Sequence, residues 1–476
     1  MLRFFQQYFP IRNIIFFLIE GLFIFGSIFL SAMLLTQSGS FLFDLILFLK
    51  IFLITFICQA CLYYNDLYDF EIAISIKEVI IRLLQALGIT SITLAVIYFF
   101  FPVVLLDQKI FILGIIMLLV FIIGWRIIYI WVLNKGLFNE KIIILGSTPL
   151  ALDIVDQIHK NIDCGYKIVL LIPDSDKIDI EKLVNSENSK NFLSEIIPKI
   201  IIDSTKENFC EKAIASGAKK VVVALKEKRG SFPIQELLNC RTAGLEVLEG
   251  STFYEMLTGK LLVTKINPSW LIFSEGFKKS RIRTIIKRLE DIIISTIMLI
   301  LLSPLLIMTT LLIKLESRGP VFFSQDRVGQ DQKEYMVHKF RSMVEDAEKL
   351  TGPVWAQADD DRITRVGKFI RKCRIDELPQ LWNVLAGNMS MVGPRPERKY
   401  FTDELESKIP YYAERFKVKP GITGWAQVSY DYGATVEDAI EKLNYDLFYI
   451  KNLSITLDIV IILRTVKTVL FGKGAR

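Results

Sequence analysis

Long apolar runs limit what this chain can fold into. Four of them occupy residues 13–35, 41–63, 79–101 and 110–132, and each is long enough to cross a hydrocarbon layer about 30 Å thick as a helix. No small-residue cleavage site is evident after the first run, so we interpret it as a membrane helix and not as a removed signal peptide. The sequence therefore predicts a four-helix transmembrane domain over residues 1–138.

Composition agrees with a membrane part joined to soluble domains. The 476 residues are 52% apolar, too many for an ordinary soluble protein, and 23% charged, too many for a bundle buried in lipid. The net charge is +6, but no basic stretch with interleaved aromatics resembles a nucleic-acid surface, so no nucleic-acid partner is expected. Since His159 and His338 are the only histidines, acid–base chemistry must be carried out by carboxylates.

Positive charge predicts the orientation of the four helices. It concentrates before the first run, at the start of the third and around the end of the fourth (Arg3, Arg12, Lys77, Arg82, Arg126, Lys135 and Lys141). The positive-inside rule then puts the N-terminus, the second loop and everything after the fourth helix in the cytoplasm.

Residues 139–265 alternate short apolar runs with helical stretches, which predicts a doubly wound α/β module. The strand-like runs are 141–145, 167–172, 199–202, 220–224 and 245–248. A dinucleotide site needs Gly-x-Gly-x-x-Gly after the first strand, and only Gly146 is present. We therefore predict a degenerate Rossmann-like module for regulation or assembly, followed by a connector at residues 266–283.

A fifth apolar run, residues 291–313, contains Ser303-Pro304 at its middle. Pro304 removes a backbone donor, and the Ser303 hydroxyl can bond to the freed carbonyl. Positive residues flank the run on both sides (Lys287, Arg288, Lys314, Arg318 and Arg327), which favours both ends on one side of the membrane. A re-entrant helix over about residues 285–316, broken at Ser303-Pro304, satisfies these constraints; the residues leave a kinked single span open as the alternative.

The adjacent carboxylates Asp376 and Glu377 are the leading candidates for chemistry. Leucine and tryptophan recur at helical spacing after them, so Asp376 is predicted to cap a helix, with Pro379 in its first turn and Gly387 just after its end. Capping alone would explain both carboxylates. A helix N-terminus also lowers a carboxylate pKa and gathers anions, which makes an ionised Asp376 a candidate nucleophile.

Basic residues suited to a diphosphate surround this dyad in the sequence. Lys339, Arg341, Arg371 and Arg395 are the candidates, although any one of them alone is better interpreted as a solvated surface charge. Gly421 and Gly424 lie in a loop that suits close approach of backbone to a ligand. Asp359 and Asp361 have the spacing of a metal–nucleotide motif of glycosyltransferases, but a solvated turn is the better interpretation.

Several motifs occur together in one order after residue 284. They are Ser303-Pro304, residues 339–343, residues 376–380, Gly393-Pro394-Arg395-Pro396, residues 419–428 and residues 445–449. In this order they resemble the catalytic domain of the bacterial sugar transferases that act on polyprenyl phosphate, the monotopic phosphoglycosyltransferases. The whole chain resembles the long form of that family, the undecaprenyl-phosphate hexose-1-phosphate transferases of exopolysaccharide and O-antigen initiation, and leans toward the exosortase (PEP-CTERM)-associated exopolysaccharide branch.

This resemblance implies a membrane fold of the α plus α/β class, with a mainly α catalytic domain over residues 284–476 that contains the re-entrant helix. It implies that Asp376 attacks a UDP-sugar, releasing UMP, and that undecaprenyl phosphate then takes the phosphosugar. Glu377 would position Mg²⁺ or handle a proton, and Asp446 would assist with the metal. The residues implied in substrate and phosphate binding are Lys339, Arg341, Arg371, Arg395, Lys419, Thr423 and Gln427.

The resemblance also places the enzyme in the bacterial inner membrane, in contact with its lipid, with the catalytic domain facing the cytoplasm and a homo-oligomer as a possibility. Two other classes stay open. A GT-A-like glycosyltransferase would use Asp359 and Asp361 and release UDP, whereas a membrane nucleotide sensor would show no turnover. The sugar that is transferred is not specified by these residues.

Overall fold

The structure is a computed structural model of the chain. It describes residues 2–4, 7–9, 11–35, 45–68, 76–134, 139–161, 164–173, 201–202, 208–225, 232–265, 276–277, 280–344, 362–430, 433 and 435–471. Apart from the first few residues, the chain forms one compact unit up to Phe253 and a second from Tyr254 to Arg476. The second unit thus begins before the predicted module boundary at residue 265.

Four long helices follow a short N-terminal strand pair in the first unit. The strands are β1 (Leu2–Phe4) and β2 (Gln7–Phe9), and the helices are α1 (Ile11–Leu35), α2 (Leu45–Tyr64), α3 (Ile76–Phe100) and α4 (Gln108–Asn134). All four are long and apolar enough to cross a membrane, as is one helix of the second unit. Large apolar side chains such as Leu22, Phe52 and Ile92 are exposed on these helices, as lipid-facing residues are.

Among the described residues of this bundle, one ion pair is buried. Glu20 of α1 and Arg126 of α4 are 0% and 4% exposed, and their side chains approach to 2.7 Å. Arg126 also donates to the Leu67 carbonyl at 2.8 Å, directly after α2. Because a charge in lipid is costly, one anion facing one cation is the arrangement that tolerates both.

A parallel sheet forms the other part of the first unit. Its strands are β3 (Glu140–Leu145), β4 (Tyr166–Ile172), β5 (Ile201–Ile202), β6 (Lys220–Val223) and β7 (Glu246–Glu249), in the order β5-β4-β3-β6-β7. Helices α5 (Pro149–Lys160), α6 (Phe209–Ala215) and α7 (Ile234–Thr242) lie between strands in the chain, and α8 (Gly250–Thr258) follows the last. The predicted parallel α/β module is therefore present.

Gly146, the one glycine of the incomplete dinucleotide motif, lies against protein backbone. It has φ +120°, and a Cβ there would fall 2.2 Å from the Ala224 carbonyl oxygen. Thr148 donates to the same carbonyl at 2.8 Å and caps α5 by accepting from Ala151 N. The glycine is thus explained by close packing of β3 against the segment after β6.

The second unit contains a long apolar helix, a hairpin and a set of short elements. They are α9 (Arg281–Glu316), β8 (Phe322–Val328), β9 (Glu334–Phe340), α10 (Arg365–Lys372), α11 (Gln380–Ala386), β10 (Ser390–Val392), α12 (Lys399–Lys408), β11 (Gly421–Thr423), α13 (Trp425–Ser429), α14 (Val436–Lys451) and α15 (Ile455–Phe471). Its core joins α11, β10, α14 and α15 through residues such as Leu381, Val392, Leu447 and Leu457.

Helix α9 continues through the predicted break at Ser303-Pro304. It is assigned as one helix of 36 residues with Pro304 inside it. Pro304 cannot donate to the Ile300 carbonyl, and the Ser303 hydroxyl takes that place with a bond of 2.8 Å. The carbonyl freed by proline is therefore satisfied, as predicted, and the expectation of a break in the helix is wrong at the level of secondary structure.

Candidate active site

The β8–β9 hairpin is fixed to α11 by one buried amide. Asn383 of α11 donates to the Met336 carbonyl at 2.7 Å and accepts from the His338 amide at 3.1 Å. Both bonds go to the backbone of β9, so the register of this strand against α11 is defined. Lys339 is the next residue of β9, and the two bonds therefore determine where its side chain points.

Asp376 and Glu377 lie in a tight turn just before α11. The turn, Ile375–Glu377, is a 3₁₀ helix preceded by Arg374 in the left-handed conformation with φ +57°. Helix α11 begins after Pro379, which has no capping side chain. The prediction that Asp376 caps this helix, with Pro379 in its first turn, is therefore wrong, because the extra 3₁₀ turn moves the helix start past both residues. Gly387 does end α11, with φ +90°, as predicted.

Glu377 is the centre of a buried charge cluster. Its side chain is 10% exposed, and its Oε1 accepts from Arg395 Nη2 at 2.8 Å and from Lys339 Nζ at 3.2 Å. Arg374 Nη1 lies 3.8 Å from the same oxygen. Burial alone would raise the pKa of Glu377, but Arg395, Lys339 and Arg374 more than reverse this and hold it well below its usual range. Glu377 is thus ionised at neutral pH.

Asp376 is partly buried, but it lacks the hydrogen bonds of Glu377 and its pKa is shifted in the opposite direction. Its Oδ1 is buried and has no hydrogen-bond partner in the structure. Burial and the adjacent Glu377 raise the pKa of Asp376 to about 6, against the lowering effect of Lys339, Arg374 and Arg371. The prediction that a helix end lowers this pKa is therefore wrong, because desolvation dominates. A desolvated carboxylate without partners is still ionised at pH 7 and is more reactive than a hydrated one.

The cluster holds more positive than negative charge. Lys339, Arg374 and Arg395 act electrostatically on both carboxylates, and Arg371 acts on Asp376. Four cations and two anions leave an excess of about two positive charges. A bound diphosphate diester carries about two negative charges and would neutralise this excess. The site is thus electrostatically incomplete without an anion.

Comparison with known proteins shows which family this part of the chain matches. Residues 282–472 match the family described as bacterial sugar transferase. A relative from Caulobacter vibrioides, named UDP-glucose:undecaprenyl-phosphate glucose-1-phosphate transferase, is 44% identical over 193 residues, which cover 40% of this chain and 71% of the relative. The chain belongs to the bacterial sugar transferase family.

Two further relatives extend the match. A UDP-N-acetylgalactosamine-undecaprenyl-phosphate N-acetylgalactosaminephosphotransferase from Aeromonas hydrophila is 45% identical over 240 residues, 50% of this chain and 56% of the relative. A UDP-glucose:undecaprenyl-phosphate glucose-1-phosphate transferase from Klebsiella pneumoniae is 46% identical over 198 residues, 41% of this chain and 42% of the relative. The matched part thus spans about half the length of these two relatives.

In this bacterial sugar transferase, the loop that carries Arg395 is held by backbone contacts with β11. Gly393 N donates to the Thr423 carbonyl at 2.9 Å, and Gly421 N donates to the Pro394 carbonyl at 3.0 Å. A Cβ on Gly424 would lie 2.3 Å from the Gly393 carbonyl oxygen, and one on Gly421 would lie 2.1 Å from Gly393 N. Gly421 and Gly424 were predicted to approach a ligand; in the structure they approach the backbone of Gly393.

Arg341 lies close to the dyad in sequence but is directed elsewhere. Its guanidinium is buried and donates to the Arg318 and Ser317 carbonyls at 2.9 and 3.1 Å and to the Ser317 hydroxyl at 2.8 Å. These groups directly follow the end of α9, so Arg341 fixes the segment in which the chain leaves that helix. The structure therefore does not bring Arg341 to Glu377.

The three predicted binding residues of the 419–428 segment also have other neighbours. Thr423 Oγ1 and Thr465 Oγ1 lie 2.6 Å apart. Lys419 and Arg288 both lie beside Gly387 at the far end of α11, within 3.7 Å of where a Cβ on that glycine would be. Gln427 Oε1 is buried without a partner. Their binding of substrate phosphate stays a prediction, whereas the backbone of the segment supports the Arg395 loop.

Asp446, predicted to share a metal with Glu377, forms a buried ion pair with Arg415. The two side chains are 3% and 8% exposed and 2.9 Å apart. Burial raises the pKa of Asp446 to about 6, and Arg415 opposes that rise. Within the described ranges, the structure has no group of three or more His, Cys, Asp and Glu side chains able to hold a metal ion. Asp359 and Asp361 lie outside the described residues.

Three residues of the site were missed by sequence reasoning. Arg374 was not among the basic residues singled out, although a non-glycine residue at positive φ next to reactive groups is a common sign of a functional turn. Asn383 and Arg415 were not singled out. Asn383 and Arg415 are recognised as important because their polar side chains are buried, and burial cannot be read from a single sequence.

Proposed function

We propose that this protein transfers a sugar 1-phosphate from a UDP-sugar to undecaprenyl phosphate, releasing UMP, as the first membrane step of exopolysaccharide or O-antigen synthesis. The observation that carries the proposal is the unpartnered, buried Oδ1 of Asp376 beside a Glu377 that anchors Lys339 and Arg395. The names of the two relatives from Aeromonas hydrophila and Klebsiella pneumoniae describe the same reaction class, with N-acetylgalactosamine and glucose as the sugars.

The reaction runs in two displacements. An oxygen of the Asp376 carboxylate attacks the phosphorus that bears the sugar, the bond from that phosphorus to the bridging oxygen breaks, and UMP leaves with the electron pair. An oxygen of undecaprenyl phosphate then attacks the same phosphorus, and the Asp376 carboxylate leaves unchanged. The product is undecaprenyl diphosphate sugar. Lys339, Arg371 and Arg395 would offset the charge that develops on the phosphate oxygens in both steps.

Mg²⁺ fits the donor set of this site only together with a substrate. Magnesium commonly uses one or two carboxylates plus phosphate oxygens and water, so Asp376 and Glu377 would hold it with the donor diphosphate. Bound there, it would neutralise phosphate charge. Arg415 occupies Oδ2 of Asp446, just as Arg395 and Lys339 occupy Oε1 of Glu377, so each of these carboxylates has one oxygen left for a ligand.

A re-entrant path for α9 would put the site at the lipid surface of the inner membrane on the cytoplasmic side. Support comes from the positive flanks of α9 and from Pro304 within it. A straight helix of 36 residues would be about 54 Å long, well above the hydrocarbon thickness. A cysteine placed at Lys314, compared with the parent protein, tests this path: labelling by an impermeant reagent added outside would reject it.

The activity test uses the purified full chain with Mg²⁺, undecaprenyl phosphate and a panel of UDP-sugars. UMP release that depends on the donor, with a phosphosugar adduct on Asp376 when the acceptor is omitted, is the expected result. Release of UDP would instead indicate a glycosyltransferase that moves the sugar alone, and no nucleotide release with any donor would indicate a sensor.

Asp376→Asn is the decisive variant of this test. The amide keeps the shape of the side chain but is not a nucleophile, so UMP release should fall by about 10³-fold or more and the adduct should disappear. Asp438→Asn is the control, because Asp438 accepts bonds from Thr435 and Tyr430 at the start of α14 and from no residue of the dyad cluster. Normal turnover by Asp376→Asn would reject the assignment.

A further inference from the structure

The backbone of Arg395 is held by a second arginine. Arg415 Nη2 donates to the Arg395 carbonyl oxygen at 3.0 Å, while the side chain of Arg395 donates to Glu377 at 2.8 Å. The position of the Arg395 guanidinium on Glu377 therefore depends on where Arg415 holds the Arg395 backbone. Nothing in the sequence motifs pointed to this contact.

Arg415 is buried and is neutralised by one carboxylate. The same Nη2 donates to Asp446 Oδ2 at 2.9 Å, and Nη1 donates to the Tyr412 hydroxyl at 2.5 Å. Arg415, Asp446 and Tyr412 are 7%, 2% and 2% exposed. A buried guanidinium needs a counter-charge and satisfied donors, and this trio supplies both.

A series of hydrogen bonds connects α14 to the dyad, and Asp446 and Arg415, which form its first two links, are buried. Asp446 belongs to α14, Arg415 to the 3₁₀ turn Tyr412–Lys417, and Arg395 to the loop after β10. The loop is also fixed by the β11 backbone, so Arg415 adds a contact at the one residue whose side chain reaches the dyad. A displacement of Arg395 by 1 Å would change its contact with Glu377 and with a bound phosphate.

We propose that Asp446 and Arg415 are positioning residues that fix the backbone of Arg395, and that Asp446 acts through Arg415 and not as a ligand of Mg²⁺. The proposal rests on the proposed function, since Arg395 is assigned there to the donor phosphates. It gives a role to the buried pair on α14 that differs from the metal role expected from family resemblance.

The two roles predict different responses to magnesium. If Asp446 positions Arg395, its removal weakens contact with the diphosphate whether or not Mg²⁺ is present. If Asp446 is a metal ligand, its removal raises the Mg²⁺ concentration needed for half-maximal rate and leaves metal-free nucleotide binding unchanged. UDP binding in EDTA, measured by calorimetry on the purified full chain, separates the two roles without turnover.

Three variants and one control test the proposal. Asp446→Asn removes the counter-charge, Arg415→Lys keeps the charge but cannot bond Asp446, Tyr412 and Arg395 together, and Tyr412→Phe removes one acceptor. Asp438→Asn is the matched control, since it is the same change on the same helix and affects the capping box of α14. It should lower Tm and leave kcat/KM for the donor and UDP affinity unchanged.

We expect Asp446→Asn and Arg415→Lys each to lower kcat/KM for the UDP-sugar by about 100-fold and to weaken UDP binding in EDTA. The Mg²⁺ concentration at half-maximal rate should stay within about twofold of the wild-type value, because no ligand is lost. The double variant should lose about as much as the more severe single variant, because both changes break one unit. Tyr412→Phe should show the same pattern with a severalfold loss.

Two results would overturn the proposal. One is an Asp446→Asn protein that needs much more Mg²⁺ while its UDP binding in EDTA stays normal; the other is normal kcat/KM in Asp446→Asn or Arg415→Lys. If both of these variants fail to fold, Tyr412→Phe decides, and wild-type kinetics there count against the proposal. If the wild-type protein releases no UMP with any donor, the proposed function fails instead, and UDP binding by the variants still tests the positioning role.

Discussion

The helix bundle of the first unit and the dyad cluster of the second unit bury ionised side chains in opposite ways. In the helix bundle, Glu20 faces Arg126, one anion with one cation, and the Leu67 carbonyl takes a remaining donor. In the dyad cluster, Glu377 faces three cations, Lys339, Arg374 and Arg395. An oxygen without a hydrogen-bond partner is common to both clusters, Glu20 Oε2 in one and Asp376 Oδ1 in the other, so it does not distinguish them. A balanced pair has no use for a ligand, whereas an unbalanced cluster is completed by one. The charge count, and not burial itself, separates a structural ion pair from a binding site.

Breaking the balanced pair should cost stability and leave chemistry intact. Glu20→Gln leaves Arg126 buried without a counter-charge, so the free energy of unfolding should fall by about 3–5 kcal/mol. The change should appear as a lower Tm in detergent, while kcat and KM per folded molecule remain at the wild-type values. Glu78→Gln is the matched control, because the Glu78–Arg82 pair of α3 is 46% and 22% exposed and should contribute about 0.5 kcal/mol or less. An equal loss of Tm in both variants would contradict the distinction.

Breaking the unbalanced cluster should have the reverse effect. Glu377→Gln removes the anion that holds Lys339 and Arg395, so kcat/KM for the donor should fall by about 100-fold. Tm should change less than in Glu20→Gln, because the freed cations are partly exposed, at 24% and 35%. Thermal melting and UMP release measured on the same preparations test this. If Glu377→Gln unfolds like Glu20→Gln while its remaining folded fraction is fully active, the cluster is structural.

The pH dependence of the donor reaction sharpens the comparison further. The pKa values of Asp376 and Asp446 are both raised to about 6, so below pH 6 the nucleophile and the counter-charge of Arg415 both become protonated, and kcat/KM for the UDP-sugar should fall by at least about tenfold per pH unit. The donor diphosphate is a diester that does not ionise in this pH range, so the fall in kcat/KM reflects ionisation of groups on the protein. Because the folded-state pKa is the higher one, Asp376 costs stability above about pH 6, and the cost disappears as pH falls toward its ordinary value. If the fall in kcat/KM is centred near pH 4 instead, the pKa of Asp376 is not raised and its carboxylate is hydrated.

Periodic features of the sequence predicted most of the architecture. The first four apolar runs correspond to helices α1 to α4, and each of the five strand-like runs overlaps a strand of the parallel sheet. Patterns of this kind are local and repeat over many residues, so single exceptions do not hide them. Pro304 shows the limit, since the sequence indicates where a carbonyl is freed but not whether the helix continues beyond it.

The candidate site was predicted by residue type better than by geometry. Asp376, Glu377, Lys339, Arg371 and Arg395 were named from the sequence, and the structure brings them together. Arg341 was grouped with them because it is two residues from Lys339, yet it is directed to the end of α9. The raised pKa of Asp376 was predicted with the wrong sign, because a capping position is a local pattern and desolvation depends on packing from distant segments.

Gly393, directly after β10, contacts Gly421 and Gly424 at the start and just after the end of β11. This contact limits which substitutions the protein can accept. Hydrogen is the only substituent that fits at Gly393, Gly421 and Gly424, so no mutation there can reshape the pocket without moving main chain. Drift or laboratory selection toward a different donor sugar must therefore draw on other positions. A saturation library that leaves these three codons unchanged should therefore contain fewer variants that fail to fold.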